Sequence, residues 1–95
     1  MFQVEAAGLM LPVEEYRFHA TRRWRFDYAV IEKLLAFECE GGVWTSGRHI
    51  RPTGFLKDME KYNSAAMLGW RVFRFTPQMV KTGEALDLYE QAVND

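Results

Sequence analysis

Hydrophobic and polar positions change rhythm several times along this chain, and each rhythm predicts an element. From Val13 to His19, Tyr16 and Phe18 alternate with Glu15, Arg17 and His19, a half-buried strand entered through Pro12. After a turn at Ala20 to Arg23, Trp24, Phe26, Tyr28 and Val30 fall on one side of a second strand. Arg25, Asp27 and Ala29 fall on the other. Glu32 and Lys33 make a tight connection to a third strand, Leu34 to Glu40, whose Leu35, Phe37 and Cys39 oppose Leu34, Ala36, Glu38 and Glu40. Gly41 and Gly42 end that strand, and a polar, basic loop runs through Val43 to Thr53.

The period then becomes helical. Thr53 is placed to cap a helix from Gly54 to Leu68, with Phe55, Met59, Tyr62 and Ala66 on its apolar stripe and Gly69 just past its end. Trp70 to Phe75 is a fourth strand. Thr76 and Pro77 form an N-cap with proline at the first helical position, and Thr82 caps a last amphipathic helix carrying Leu86, Tyr89 and Val93. Phe2 to Ala7 forms a short helix ended by Gly8. Short connections make strands one to three antiparallel neighbours, and the long helix carries the chain back to a parallel fourth strand. The expected fold is α/β (α+β): one domain over residues 1–95, a small mixed four-stranded sheet flanked by helices in the order β-β-β-α-β-α.

Composition supports a packed core, since 48% of the 95 residues are hydrophobic and 15% aromatic. Cys39 is the single cysteine, which excludes an internal disulfide and a cysteine-based zinc cluster, and it reads as a small buried strand residue. No apolar run approaches the roughly 20 residues of a bilayer crossing, and the N-terminus does not look like a signal peptide; a cytoplasmic protein with no membrane partner is expected. The net charge of −1 averages two unlike regions. Residues 16–61 hold nine Lys and Arg against six Asp and Glu, while the remainder holds three against seven. One basic face suited to a polyanion follows.

The candidate chemistry lies on strands two and three. Glu38 and Glu40 share a face, with Cα atoms about 6–7 Å apart from the strand rise, and Asp27 on the neighbouring strand reaches the same place if the register sets it opposite. Three carboxylates there need a compensating charge, and a hard cation such as Mg²⁺ supplies it. The alternative is that Glu38 and Glu40 face water and Asp27 pairs with Arg25 or a neighbouring arginine. Trp44, Arg48, His49 and Arg51 follow the paired glycines, bringing cations and an aromatic ring to the rim of the acids, while Lys57 and Lys61 lie one turn apart on the helix. Such side chains serve phosphate contact and base stacking, and equally serve as a core lid or a solvated face.

The segments Arg25-Phe-Asp-Tyr-Ala and Leu35-Ala-Phe-Glu-Cys-Glu-Gly-Gly-Val-Trp resemble the core of the PD-(D/E)xK nuclease superfamily with its restriction-endonuclease-like fold. The branch most resembled is the small phage and prophage one related to Vsr-like, very-short-patch-repair, endonucleases. Gly47-Arg-His, Gly54-Phe-Leu-Lys-Asp-Met-Glu-Lys-Tyr-Asn and Leu68-Gly-Trp-Arg-Val-Phe-Arg-Phe-Thr extend the likeness over roughly residues 13–93. The resemblance implies that Asp27 and Glu38 are the metal-binding acids and that Glu40 occupies the position usual for lysine. Glu40 then ligates metal or orients water, or a cation migrates in from Lys57, Lys61, Arg48 or His49. An upstream acid often completes such sites, and Glu15 is the candidate. The zinc ligands of some Vsr-like enzymes have no counterparts here.

The expected function is Mg²⁺- or Mn²⁺-dependent hydrolysis of DNA phosphodiesters in repair, recombination or phage DNA processing, inside a bacterial or phage-infected cell. Arg17, Arg25, Trp44, Arg48, His49, Arg51, Lys57 and Lys61 are the candidate DNA-binding residues. A catalytically inactive nucleic-acid-binding module of the same fold is the alternative. A carboxylate-pair glycosidase fits poorly, because its carboxyls stand about 5–9.5 Å apart across a sugar-sized cleft and basic loops do nothing for a neutral sugar. A homodimer is expected if both strands of a duplex are cut.

Overall fold

The computed structural model describes residues 4, 7–41 and 52–95, with side chains from 56 onward in the last segment. Four strands, β1 (Val13–Arg17), β2 (Arg25–Val30), β3 (Leu35–Cys39) and β4 (Arg71–Phe75), pair in the order β1-β2-β3-β4. The first two pairings are antiparallel and β3 runs parallel to β4, as a helical crossover requires. That crossover contains helix α1 (Pro52–Met67); after β4 come α2 (Pro77–Thr82) and α3 (Glu84–Asn94). The predicted mixed sheet and element order are both present. Of the short helix predicted over Phe2 to Ala7, Val4 alone is described as helical, and it is buried.

Each face of the sheet carries its own core. Val30, Leu35, Phe37 and Phe75 pack with Val4 and with Ala85, Tyr89, Ala92 and Val93 of α3. On the opposite face Phe26, Ala29, Ala36 and Trp70 pack with Ala65 of α1. Each fully buried large apolar side chain contributes about 1.5–3 kcal/mol; α3 buries Tyr89 and Val93, and among the described side chains of α1 the buried one is Ala65.

Local chemistry explains the junctions. Gly69 ends α1 at φ 89°, its N–H donating to Ala66 O at 3.0 Å, and an added Cβ would meet Leu34 Cδ1 at 3.4 Å. Thr76 Oγ1 accepts from Met79 N at 3.2 Å with Pro77 leading α2, as predicted. The cap of α3 differs: Gly83, in the left-handed region, holds that position, and Thr82 Oγ1 lies 2.8 Å from Glu84 Oε1 instead.

Three other expectations are corrected. Leu34 is not the first residue of β3 but a left-handed turn residue at φ 54°, half exposed, after the 3-10 turn Ile31–Lys33. Phe26 does not share a side with Tyr28 and Val30; it packs on the α1 face with Ala29, so the alternation of β2 breaks around Asp27. On β1, Glu15 falls between the register pairs Glu14 with Tyr28 and Tyr16 with Phe26, and has φ 51°. The two irregularities therefore sit side by side. In helix α1, Tyr62 of the predicted stripe is half-buried, but Met59 and Ala66 are exposed and the Phe55 side chain lies outside the described residues, while Ala65 is buried and Lys61 half-buried. The helix begins at Pro52, so Thr53 lies within it rather than capping it.

Candidate active site

The antiparallel register of β2 and β3 runs from Val30 with Leu35 to Tyr28 with Phe37, and its next step sets Asp27 opposite Glu38. Both acids therefore meet where β3 ends and β2 begins. Asp27 does not pair with Arg25; its Oδ2 accepts from Cys39 N at 2.8 Å. That bond holds one carboxylate oxygen on the backbone of β3.

Glu38 is 6% exposed, the one charged residue in the core among the described residues. It points to the α1 face, where its Oε1 receives Lys61 Nζ at 2.9 Å and also accepts from Tyr62 Oη. A buried carboxylate without a cation is strongly destabilising, so the inward turn of Lys61 is a requirement of Glu38 rather than an accident of helix packing. Burial, then the hydrogen bond to Glu38, push the Tyr62 phenol well above its ordinary pKa, so it stays a donor.

Glu40 takes a different partner. Its N–H donates to Phe75 O at 2.7 Å, continuing the pairing with β4, and its Oε1 lies 3.3 Å from Arg74 Nε. Arg74 is itself spread over the Tyr62 ring, with its guanidinium carbon 3.9 Å from the ring centre. Lys61, Glu38, Tyr62, Arg74 and Glu40 thus form one contiguous chain of contacts.

The three acids were expected to converge on one cation, yet among the described residues no three His, Cys, Asp or Glu are grouped so as to hold a metal ion. Asp27 and Glu38 are adjacent by register, while Glu40 is drawn toward Arg74. Glu15 stands opposite Asp27 in register but is exposed. Lys57 is exposed on α1, so the two helix lysines have separate surroundings, one in solvent and one half-buried against Glu38. Arg17 and Arg25 are exposed and face each other across the β1–β2 pair. Trp44, Arg48, His49 and Arg51 lie outside the described residues.

Cys39 is exposed rather than buried, because the strand ends there; burial of its surroundings, then Asp27 and Glu40, raise its pKa and keep it a thiol. Tyr62 and Arg74 were missed by the sequence reading. A tyrosine on a buried helix face needs a partner for its hydroxyl, and Glu38 was the available acceptor. The Arg74 signal is the parallel register, which pairs it with Glu38. No family model matches the chain, and no curated protein or solved structure matches it either. No helix among the described residues is long and apolar enough to cross a membrane.

Proposed function

We propose that this chain is a Mg²⁺- or Mn²⁺-dependent DNA endonuclease of the PD-(D/E)xK type, in which Lys61 replaces the lysine absent from position 40. The observation that carries this reading is the delivery of the Lys61 ammonium, from α1, to a buried carboxylate beside Asp27. A cation at that point is what the Asp-Glu-Lys chemistry requires, and the chain supplies it from a helix.

Asp27 and Glu38 fit a divalent ion as a pair of hard oxygen donors. Mg²⁺ is commonly held by one or two carboxylates together with water and substrate phosphate, so a cage of three is not needed. Among the described residues, the hydrogen bonds to Glu38 fall on Oε1 and that to Asp27 on Oδ2, which leaves each acid a second oxygen for this task. When bound, the ion supplies Lewis-acid charge at the phosphate and lowers the pKa of an attacking water. Lys61 offsets negative charge growing on the phosphate, and Tyr62 keeps Glu38 in one rotamer. Glu40, held by Arg74, is the residue left to orient the water. Arg48, His49, Arg51 and Lys57 are assigned to the DNA backbone by their chemistry, and Trp44 to base stacking.

The test is a panel of labelled junction, flap, mismatch, duplex and single-stranded DNAs with Mg²⁺ or Mn²⁺. Cleavage is expected, with a loss of about 10²-fold or more in Asp27→Ala and Lys61→Ala, the usual scale for removing one catalytic group. Equal activity in either variant sinks the assignment. The separate partners of Glu38 and Glu40 favour a second reading, a DNA-binding module without catalysis. DNA binding of equal strength in EDTA and Mn²⁺, with no cleavage of any substrate, selects it. One site cuts one strand, so cleavage of both calls for a homodimer, checked by light scattering of the purified protein. The reading places the protein in the cytoplasm of a bacterial or phage-infected cell, where its substrate is.

A further inference from the structure

The β1–β2 turn carries four arginines, Arg17, Arg22, Arg23 and Arg25, with no acid between the first and the last. All four are exposed. Arg22 pairs with Glu60 of α1 at 2.7 Å and lies over the Trp24 ring with its guanidinium carbon 4.3 Å from the centre. Arg17, Arg23 and Arg25 have no ion-pair partner among the described residues. Arg17 and Arg25 are also direct register partners on adjacent strands, where like charges destabilise a sheet. A fold that keeps two arginines opposed with no acid to separate them gains from that arrangement when an anion binds.

The turn is built to stay in place. His19 Nδ1 accepts from Arg22 N at 3.0 Å and Thr21 N at 3.2 Å, closing the loop on itself. Phe18 stacks on Phe26 with ring centres 4.1 Å apart, and on Trp24 at 6.2 Å, joining the turn to the buried aromatic cluster of Phe26 and Trp70. A preformed cationic surface loses little freedom on binding. It lies at the end of the sheet where β2 starts, the same end as Asp27 and Glu38, and Glu60, which anchors Arg22, precedes Lys61 in α1.

We propose that this turn is a DNA-backbone clamp, in which Arg17, Arg23 and Arg25 contact consecutive phosphates beside the reacting one and Arg22 holds the turn on α1. The clamp deepens the nuclease reading and rests on it for its choice of DNA, but it acts in binding rather than in chemistry. Three phosphates engaged by arginine release counterions, so affinity falls with salt by about 0.9 in log-log slope for each contact on duplex DNA.

The experiment measures anisotropy of a short fluorescein-labelled DNA duplex in Ca²⁺ without Mg²⁺ or Mn²⁺, between about 50 and 200 mM salt. Wild type is compared with the double variant Arg17→Gln/Arg25→Gln and with Lys33→Gln, whose exposed lysine sits at the far end of β2. The double variant is expected to lose about 2 in slope and at least tenfold in affinity at low salt, with an unchanged or higher melting temperature because a like-charge pair has gone. Lys33→Gln keeps the wild-type slope. An unchanged slope in the double variant overturns the clamp, as does an equal loss in Lys33→Gln, a preference for RNA of the same length, or a wild type that binds no DNA at low salt. Binding that shows the expected slope loss, from a protein that cleaves nothing in Mg²⁺ or Mn²⁺, supports the clamp and rejects the nuclease. Cleavage with an unchanged slope does the reverse.

Discussion

Glu38 is a carboxylate in a core of aromatic and aliphatic side chains, and its surroundings rank the residues near it. Lys61 brings a compensating charge, whereas Tyr62 brings one hydrogen bond to a group that is already paired. Removing the cation strands a buried charge at about 3–5 kcal/mol, while removing the hydroxyl forfeits a hydrogen bond to a charged group, about 1.5–3 kcal/mol. In urea denaturation at neutral pH, Lys61→Met should therefore be less stable than Tyr62→Phe, and Glu38→Gln added to Lys61→Met should restore part of the loss. A Tyr62→Phe variant less stable than Lys61→Met would mean that the ion pair is not what holds Glu38 inside. The same ranking separates stability from chemistry, because Tyr62→Phe should keep the cation that the proposed reaction uses.

Elements were legible in the sequence wherever one periodic signal acted alone. Strand β3 has Leu35 and Phe37 on one face and Ala36 and Glu38 on the other, as alternation requires, and the Thr76-Pro77 signal marks the start of α2. Thr76→Ala should destabilise the fold by about 1 kcal/mol, read as a lower urea midpoint with an unchanged slope; a change in slope instead would show that the cap governs more than α2. Periodicity failed where a side chain obeys a distant partner. The stripe of α1 was read from the helical spacing of Phe55, Met59, Tyr62 and Ala66, yet Glu38 turns Lys61 inward, and Ala65 is buried while Met59 and Ala66 are exposed. Phe26 was placed by strict alternation, which cannot register a left-handed Glu15 on the next strand. The proximity of Asp27 to Glu38 was legible from two adjacent strands; the pairing of Glu40 with Arg74 was not, since it depends on β4 lying parallel to β3.

At the scale of the molecule, one sheet separates two cores, and a tyrosine closes each. Tyr62 donates to Glu38 on the α1 face, and Tyr89 donates to Met10 O on the α3 face, next to half-buried Tyr28. Burial raises all three phenols above their ordinary 10.0, assisted at Tyr62 by Glu38 and at Tyr28 by Glu14, and carries Tyr89 up to about 12. Well below pH 10.0 the phenols are protonated in both folded and unfolded chains, so the stabilisation is complete. As pH rises past that value the unfolded chain releases protons that the folded one retains, and stability falls until the folded groups ionise too. Urea midpoints should therefore drop steadily between about pH 9.5 and 11.5, and Tyr89→Phe should flatten part of that drop. Trp24 and Trp70 belong to the α1 side, so in a Trp44→Phe background, where they are the remaining tryptophans, fluorescence reports the core that does not contain Tyr89. If the sheet couples both cores in one cooperative transition, Tyr89→Phe moves the tryptophan transition and the far-ultraviolet circular dichroism transition together. Separate midpoints would show that the proposed site, on the α1 side, can open while α3 stays folded.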